Sequence, residues 1–127
     1  MAEVLLQNAL DGMTVSSAGV GALVDFPPDD HAIALMDERG HDIRGHRAQA
    51  FTGAMGLKHD LILTMSMDQR TRVEKRWALL HGRVFTLGFF DDVDIDDPFR
   101  KGEDAFREAL AGIDEGIEQW QRRLRKA

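Results

Sequence analysis

Aspartates are concentrated in one short stretch of the sequence, DDVDIDDPFR (91–100), where five of seven successive residues are acidic before a proline follows. Carboxylates this close together repel one another, so a structural or functional role is needed to explain why so many occur together. The residues alone leave two interpretations open. One is a solvated acidic loop on the protein surface, and the other is a calcium site.

The spacing of these acids resembles that of an EF-hand loop. Asp92, Asp94 and Asp96 occupy positions 1, 3 and 5 of such a loop, and Glu103 falls at position 12. Position 6, where the sharp turn requires glycine, is Asp97. The segment before the acids also has the pattern of a strand and not of a helix. Calcium binding is therefore the less favoured of the two interpretations.

Composition limits the classes of protein to which the chain can belong. Its 127 residues are 43% hydrophobic and 30% charged, which is typical of one globular domain spanning 1–127. The net charge of −6 argues against nucleic-acid partners and against binding to anionic membranes. No apolar run approaches about 18 residues, so membrane insertion is not expected. The segment MAEVLLQNAL lacks the features of a signal peptide, and the expected location is cytoplasmic.

The chain contains no cysteine. Disulfides, thiolate zinc sites and a cysteine nucleophile are therefore excluded within these residues. We expect no cofactor and no metal site.

Hydrophobic periodicity and capping signals predict alternating helices and strands. The predicted helices are 1–10, a segment capped by Asp29 or Asp30 that ends at Gly40, 48–57, a segment that begins with the capping-box pair Ser66 and Gln69, and 106–124. The predicted strands are MTVSS (13–17), DLILTM (60–65) and RVFTLG (83–88). This alternation predicts an α/β fold with a parallel sheet. Such folds usually begin with a strand, whereas this chain begins with a helix.

Six segments in the same order resemble the low-molecular-weight protein tyrosine phosphatases, above all the bacterial branch associated with exopolysaccharide export. They are MAEVLL, SAG (17–19), HRAQ (46–49), DLILTM, GRVFTLG and IDDPF (95–99). The resemblance implies a three-layer α/β/α fold and hydrolysis of phosphotyrosine through a cysteinyl-phosphate. It also implies a phosphotyrosine protein as substrate, such as a bacterial tyrosine kinase of polysaccharide export.

The resemblance assigns roles to four residues. Asp97 corresponds to the general acid of the family's D-P-[YF] motif, which protonates the leaving oxygen as the phosphate ester breaks. Phe99, where the family usually has tyrosine, corresponds to the wall of the substrate pocket. Ser17 and His46 correspond to residues that brace the phosphate-binding loop through hydrogen bonds.

The family's nucleophile belongs to a motif that these residues do not contain, Cys-x5-Arg-Ser/Thr-Pro, which follows the first strand and leads into the first helix. In relatives, the residues after that proline resemble MAE. We therefore expect an N-terminally incomplete domain that is inactive alone, as from a start codon placed too late. The alternative is a pseudo-phosphatase that serves as a binding or regulatory module.

In the resembled fold, the absent strand lies inside the sheet between MTVSS and DLILTM. Its removal leaves a gap of about 9–10 Å, which is two strand spacings. We expect either that the sheet closes, or that a second chain fills the gap by strand exchange in a homo-oligomer. The first helix is expected to be the element that moves.

Overall fold

A computed structural model describes residues 1–20 and 24–126 of the chain. The helices are α1 (Ala2–Ala9), α2 (Asp30–Glu38), α3 (Gly53–Leu57), α4 (Met67–Arg76) and α5 (Glu103–Lys126), the strands are β1 (Ile62–Thr64) and β2 (Val84–Thr86), and two 3₁₀ turns span Ala78–Leu80 and Phe89–Asp91. Among these described residues, no helix has the length and apolar character needed to cross a membrane.

The two strands pair in parallel and divide the core into two sides. Ile62 is aligned with Val84, and the register continues to the end of both strands. Side chains alternate between the faces of a strand. Leu63 and its alternate neighbours contact the cluster formed by α1 and α5, whereas Ile62 packs with Val73 of α4 on the opposite face. The predicted three-layer α/β/α arrangement with a parallel sheet is confirmed.

Helix α5 carries the apolar stripe that the sequence predicts. Its buried residues recur every three or four positions: Phe106, Ala109, Leu110, Ile113, Ile117 and Trp120. This spacing places them on one face of a helix. The indole N–H of Trp120 also donates to the carbonyl of Thr86, at 3.1 Å, and so links α5 to β2.

The predicted capping residues stand at the helix ends. Asp29 accepts a hydrogen bond from the N–H of His31 at the start of α2. Ser66 accepts from the N–H of Gln69 at the start of α4. The Gln69 side chain accepts in return from the N–H of Met65, at 2.9 Å, one residue earlier than in a standard capping box. These local hydrogen bonds fix where the helices begin.

Two predicted elements are wrong. MTVSS (13–17) is not a strand: its first half is held by the Gln7 side chain, which donates to the Met13 carbonyl and accepts from the N–H of Val15. A strand needs a hydrogen-bonding neighbour, and the described part of the chain provides none here. The predicted helix 48–57 is helical only from Gly53, because Ala50 forms a parallel bridge with Gly19.

The sheet does not close over the gap between 13–17 and β1. A cavity of about 260 Å³ lies there instead, bordered by residues 16–19 and 61–65. Helix α1 remains packed against α5, where Leu5 and Leu6 join the central cluster. The expectations that the sheet closes and that α1 moves are therefore not met in this structure.

Helix α5 closely approaches Leu87, the residue after β2, at Gly116, where an added Cβ would lie 2.7 Å from Leu87 Cγ and 2.8 Å from the Leu87 carbonyl oxygen. We expect Gly116→Ala to lower the free energy of unfolding by about 1–3 kcal/mol through overpacking, measured by urea denaturation. Glu115→Ala, which is exposed one residue earlier, should change it by less than about 0.5 kcal/mol. Equal stability of the two variants would contradict this close approach.

Candidate active site

The four residues that the resemblance singles out border a single cavity of about 610 Å³: Asp97, Phe99, Ser17 and His46. The first residues of α1 border the same cavity. Four positions from three distant parts of the sequence are therefore gathered beside the start of one helix.

The acidic loop is anchored by the residue at its centre. Ile95 is buried, and its N–H donates to the Met65 carbonyl at 2.8 Å, just beyond the end of β1. The neighbouring Asp94 carboxylate accepts from the N–H of Met67 at 3.0 Å, in the first turn of α4, where the helix dipole favours negative charge. Gly112 of α5 lies against the Ile95 side chain. One of the five aspartates therefore stabilises a helix terminus.

Asp97 lies at the exposed tip of this loop. Its Oδ1 accepts a hydrogen bond from the N–H of Phe99 at 3.0 Å, and the N–H of Lys101 donates to the Pro98 carbonyl at 2.9 Å. These two turns, together with the fixed φ of proline, define the loop conformation. The Phe99 ring is half exposed, with the Arg100 guanidinium 5.2 Å from its centroid. An exposed carboxyl and an aromatic face thus lie side by side at the cavity.

Ser17 and His46 both contact Glu3, in the first turn of α1. The Ser17 hydroxyl donates to Glu3 Oε1 at 3.2 Å, and His46 Nδ1 lies 3.4 Å from Glu3 Oε2. Ser17 and His46 therefore brace the start of α1 through a shared carboxylate, which sequence reasoning missed. The available signal was an acid in the first turn of the first predicted helix.

The start of α1 favours an anion in this cavity. The N–H groups of a first helical turn carry the positive end of the helix dipole and lack partners within the helix. The Met1 amino group lies at the same place, where burial lowers its pKa and the Glu3 carboxylate opposes that effect.

The site contains no sulfur nucleophile, because the sequence has no cysteine. Within 1–20 and 24–126, no three histidine or acidic side chains are arranged to hold a metal ion. The chemistry that these residues can supply is proton donation, anion binding and contact with an aromatic group.

The family model and the curated relatives that match this chain point to the same protein family. The family model for low molecular weight phosphotyrosine protein phosphatase matches residues 1–127. The probable low molecular weight protein-tyrosine-phosphatase EpsP of Ralstonia solanacearum is 45% identical over 125 residues, which are 98% of this chain and 86% of that protein.

Solved structures agree with the sequence comparison. The tyrosine phosphatase Wzb from Escherichia coli K30 in complex with sulphate matches with a TM-score of 0.91 and 31% identity, over 97% of this chain and 87% of that chain. Wzb from Vibrio vulnificus in complex with benzylphosphonate matches with a TM-score of 0.90 and 31% identity, over 96% and 87% of the two chains.

Asp94→Ala should weaken the attachment of the acidic loop, because the N–H of Met67 loses its acceptor. We expect the free energy of unfolding to fall by about 1 kcal/mol, the usual cost of losing a side-chain cap, and amide exchange at Met67 and Ile95 to accelerate. Asp96→Ala removes the same charge from an exposed neighbour and should change neither measurement. Identical behaviour of the two variants would show that relief of charge repulsion, and not the cap, dominates.

Proposed function

The chain belongs to the low molecular weight phosphotyrosine protein phosphatase family, and we propose that it contributes the proton donor, substrate wall and loop supports of a phosphotyrosine phosphatase site. The observation that carries this proposal is the single cavity shared by Asp97, Phe99 and the start of α1. The proposed substrate is phosphotyrosine in a protein, such as a bacterial tyrosine kinase of polysaccharide export.

Asp97 is the proposed general acid. Cleavage of an aryl phosphate releases a phenolate, which leaves faster if it is protonated as the bond to phosphorus breaks. A donor for this oxygen must reach over the bound phosphate from outside, and a loop tip at the mouth of the cavity meets that requirement. Phe99 would contact the aryl ring of the substrate. The benzylphosphonate bound by the related Vibrio vulnificus protein likewise carries an aromatic ring next to its phosphorus group.

Glu3, Ser17 and His46 are the proposed supports of the phosphate-binding region. Their contacts hold the first turn of α1 beside the cavity. In the family, the loop carrying the cysteine and arginine leads directly into this helix. A fixed helix start would therefore fix the end of that loop, and with it the position of the thiolate relative to Asp97.

The 127 residues alone should not hydrolyse phosphate esters. Cysteine-dependent transfer needs a thiolate to attack phosphorus and an arginine with backbone N–H groups to hold the phosphate oxygens. The 127 residues contain no cysteine, so the thiolate and the Cys-x5-Arg loop are both missing from them. The alternative, a pseudo-phosphatase that only binds its partner, predicts the same lack of activity for these residues. The two hypotheses differ in one respect: only the phosphatase should become active when the cysteine-containing loop is added.

We predict that the chain has no activity on p-nitrophenyl phosphate between pH 5 and 7 with a metal chelator present. A version that begins with a family strand and Cys-x5-Arg-Ser/Thr-Pro loop fused before Met1 should gain activity. In that version, Asp97→Asn should lower kcat by about 10²- to 10⁴-fold, the usual contribution of a general acid.

Asp96→Asn in the same fused protein is the matched control, since it alters the adjacent exposed acid, and it should retain activity within about threefold. A folded fusion without activity would favour the pseudo-phosphatase, and equal losses in the two variants would refute the role of Asp97. Turnover by the unfused chain would show that the chemistry is misassigned.

Calcium binding, the remaining alternative for the acidic loop, should be weak. Asp94, one of the EF-hand-like positions, already accepts a backbone hydrogen bond. Asp97 occupies the position where glycine is needed, and Pro98 stiffens the turn further. Calorimetric titration should give a Kd no tighter than about 10⁻³ M. A micromolar Kd would instead favour a metal site.

A further inference from the structure

Leu79 is the most exposed large apolar side chain in the described part of the protein, at 79%. It lies in the 3₁₀ turn Ala78–Leu80, between α4 and β2. The next residue, Leu80, is fully buried and packs closely on Gly56 of α3. Leu80 therefore anchors the turn, and the turn directs Leu79 into solvent. Packing within the chain does not explain an apolar residue at this position.

Two more apolar side chains lie beside this turn. Leu57 ends α3, directly after the glycine on which Leu80 packs, and it is half exposed. Trp77 stands immediately before the turn and packs edge-on against Phe51, with ring centroids 4.9 Å apart. The Trp77 side chain remains partly exposed. We call Leu57, Trp77 and Leu79 the apolar tip.

Basic residues adjoin the apolar tip on both sides. Lys75 and Arg76 end α4 just before the turn, and Lys58 directly follows α3; all three are exposed. The Arg76 guanidinium lies 4.7 Å from the centre of the Trp77 ring. Long basic side chains of this kind can lie along an apolar surface while their charged ends stay in water. The apolar tip is therefore flanked by positive charge.

The local charge has the opposite sign to that of the whole chain. Residues 57–60 and 74–83 contain four Lys or Arg and two Asp or Glu, whereas the chain has 16 and 22. One of these two acids, Glu74, has its carboxylate oxygens 3.4 Å from Arg70 Nε and 3.1 Å from His81 Nδ1. The net charge of −6 therefore does not describe this surface.

The two strands separate this surface from the acidic loop. Helix α3 precedes β1 and the turn Ala78–Leu80 precedes β2, so both lie at the amino ends of the parallel strands. The acidic loop follows β2, and its Ile95 is bonded to Met65 just beyond β1, at the carboxyl ends. Strands of this length span about 10 Å, which exceeds the Debye length of about 8 Å at physiological salt. An anionic surface at the apolar tip is therefore screened from the acidic loop.

A lipid surface fits the apolar tip better than a protein partner does. A stable protein interface buries about 800 Å² on each partner, which two leucines and part of one tryptophan do not supply. A bilayer surface requires less, because apolar side chains enter it while Lys and Arg stay among anionic headgroups. Tryptophan suits the same depth, since its ring is apolar and its N–H is polar.

We propose that the apolar tip and its flanking basic residues form a docking surface for an anionic lipid bilayer. The three apolar side chains enter the interface, and Lys58, Lys75 and Arg76 contact the headgroups. The contact is peripheral and involves no membrane-spanning helix. The expectation drawn from the net charge is thereby reversed for this surface. The proposal does not depend on the reaction that the active site supports.

The test is sedimentation of the 127-residue chain with sucrose-loaded vesicles at about 0.15 M salt. We expect partitioning onto vesicles of equal parts phosphatidylglycerol and phosphatidylcholine to exceed that onto phosphatidylcholine alone by about tenfold or more. Lys75→Gln, Arg76→Gln and Leu79→Ser should each lower partitioning onto the anionic vesicles by about fivefold. The matched controls are Lys101→Gln and Met67→Ser, which alter exposed residues at the carboxyl ends of the strands and should change it by less than about twofold.

Tryptophan fluorescence locates the contact, because the chain has two tryptophans and Trp120 is buried. Brominated lipids quench fluorophores within the bilayer, so anionic vesicles that contain them should quench the chain and leave the remaining emission of Trp77→Phe unchanged. The absence of partitioning onto anionic vesicles, or equal losses in the test and control variants, would overturn the proposal. Partitioning that the basic variants lower and Leu79→Ser leaves unchanged would also overturn it, and would assign the surface to an acidic protein partner.

Discussion

The apolar stripe of α5 is the packing interaction on which the other elements depend. One part of the stripe forms a cluster with Leu87 and Ile95, and its beginning forms a second cluster with Leu35 and Met36 of α2. Helix α1 contacts both clusters. Small residues in the stripe allow the backbone of α5 to come close to the end of β2 and to the acidic loop. Since a buried side chain contributes about 1.5–3 kcal/mol, this interface outweighs any single surface ion pair.

This packing explains how five aspartates can share one short loop. Ile95 is held between α5 and the end of β1, so the residues on either side of it are directed apart. Asp94 faces the positive N-terminus of α4, where its charge is compensated. Asp97 projects to solvent beside the cavity, where its carboxylate accepts the N–H of Phe99. Charge repulsion within the loop is reduced because the Asp94 and Asp97 carboxylates lie in different environments.

The sequence predicted those features whose cause is local. The 3.6-residue period of α5 and the caps Asp29 and Ser66 depend on neighbours within a few positions, and the structure confirms all three. The strand at 13–17 failed because strand pairing is nonlocal and its partner must come from elsewhere in the chain. Glu3 was missed for the same reason: an acid in a first helical turn indicates a helix start, whereas its contacts with Ser17 and His46 are nonlocal.

The cavity beside β1 and the active-site cavity share one boundary. Ala2, Glu3 and Ser17 line both cavities, so the first turn of α1 stands between them. Ser17 and His46 contact the Glu3 carboxylate in this turn and so hold it in place. Because one turn separates the two cavities, any change of packing beside β1 that shifts this turn also shifts the wall that faces Asp97 and Phe99.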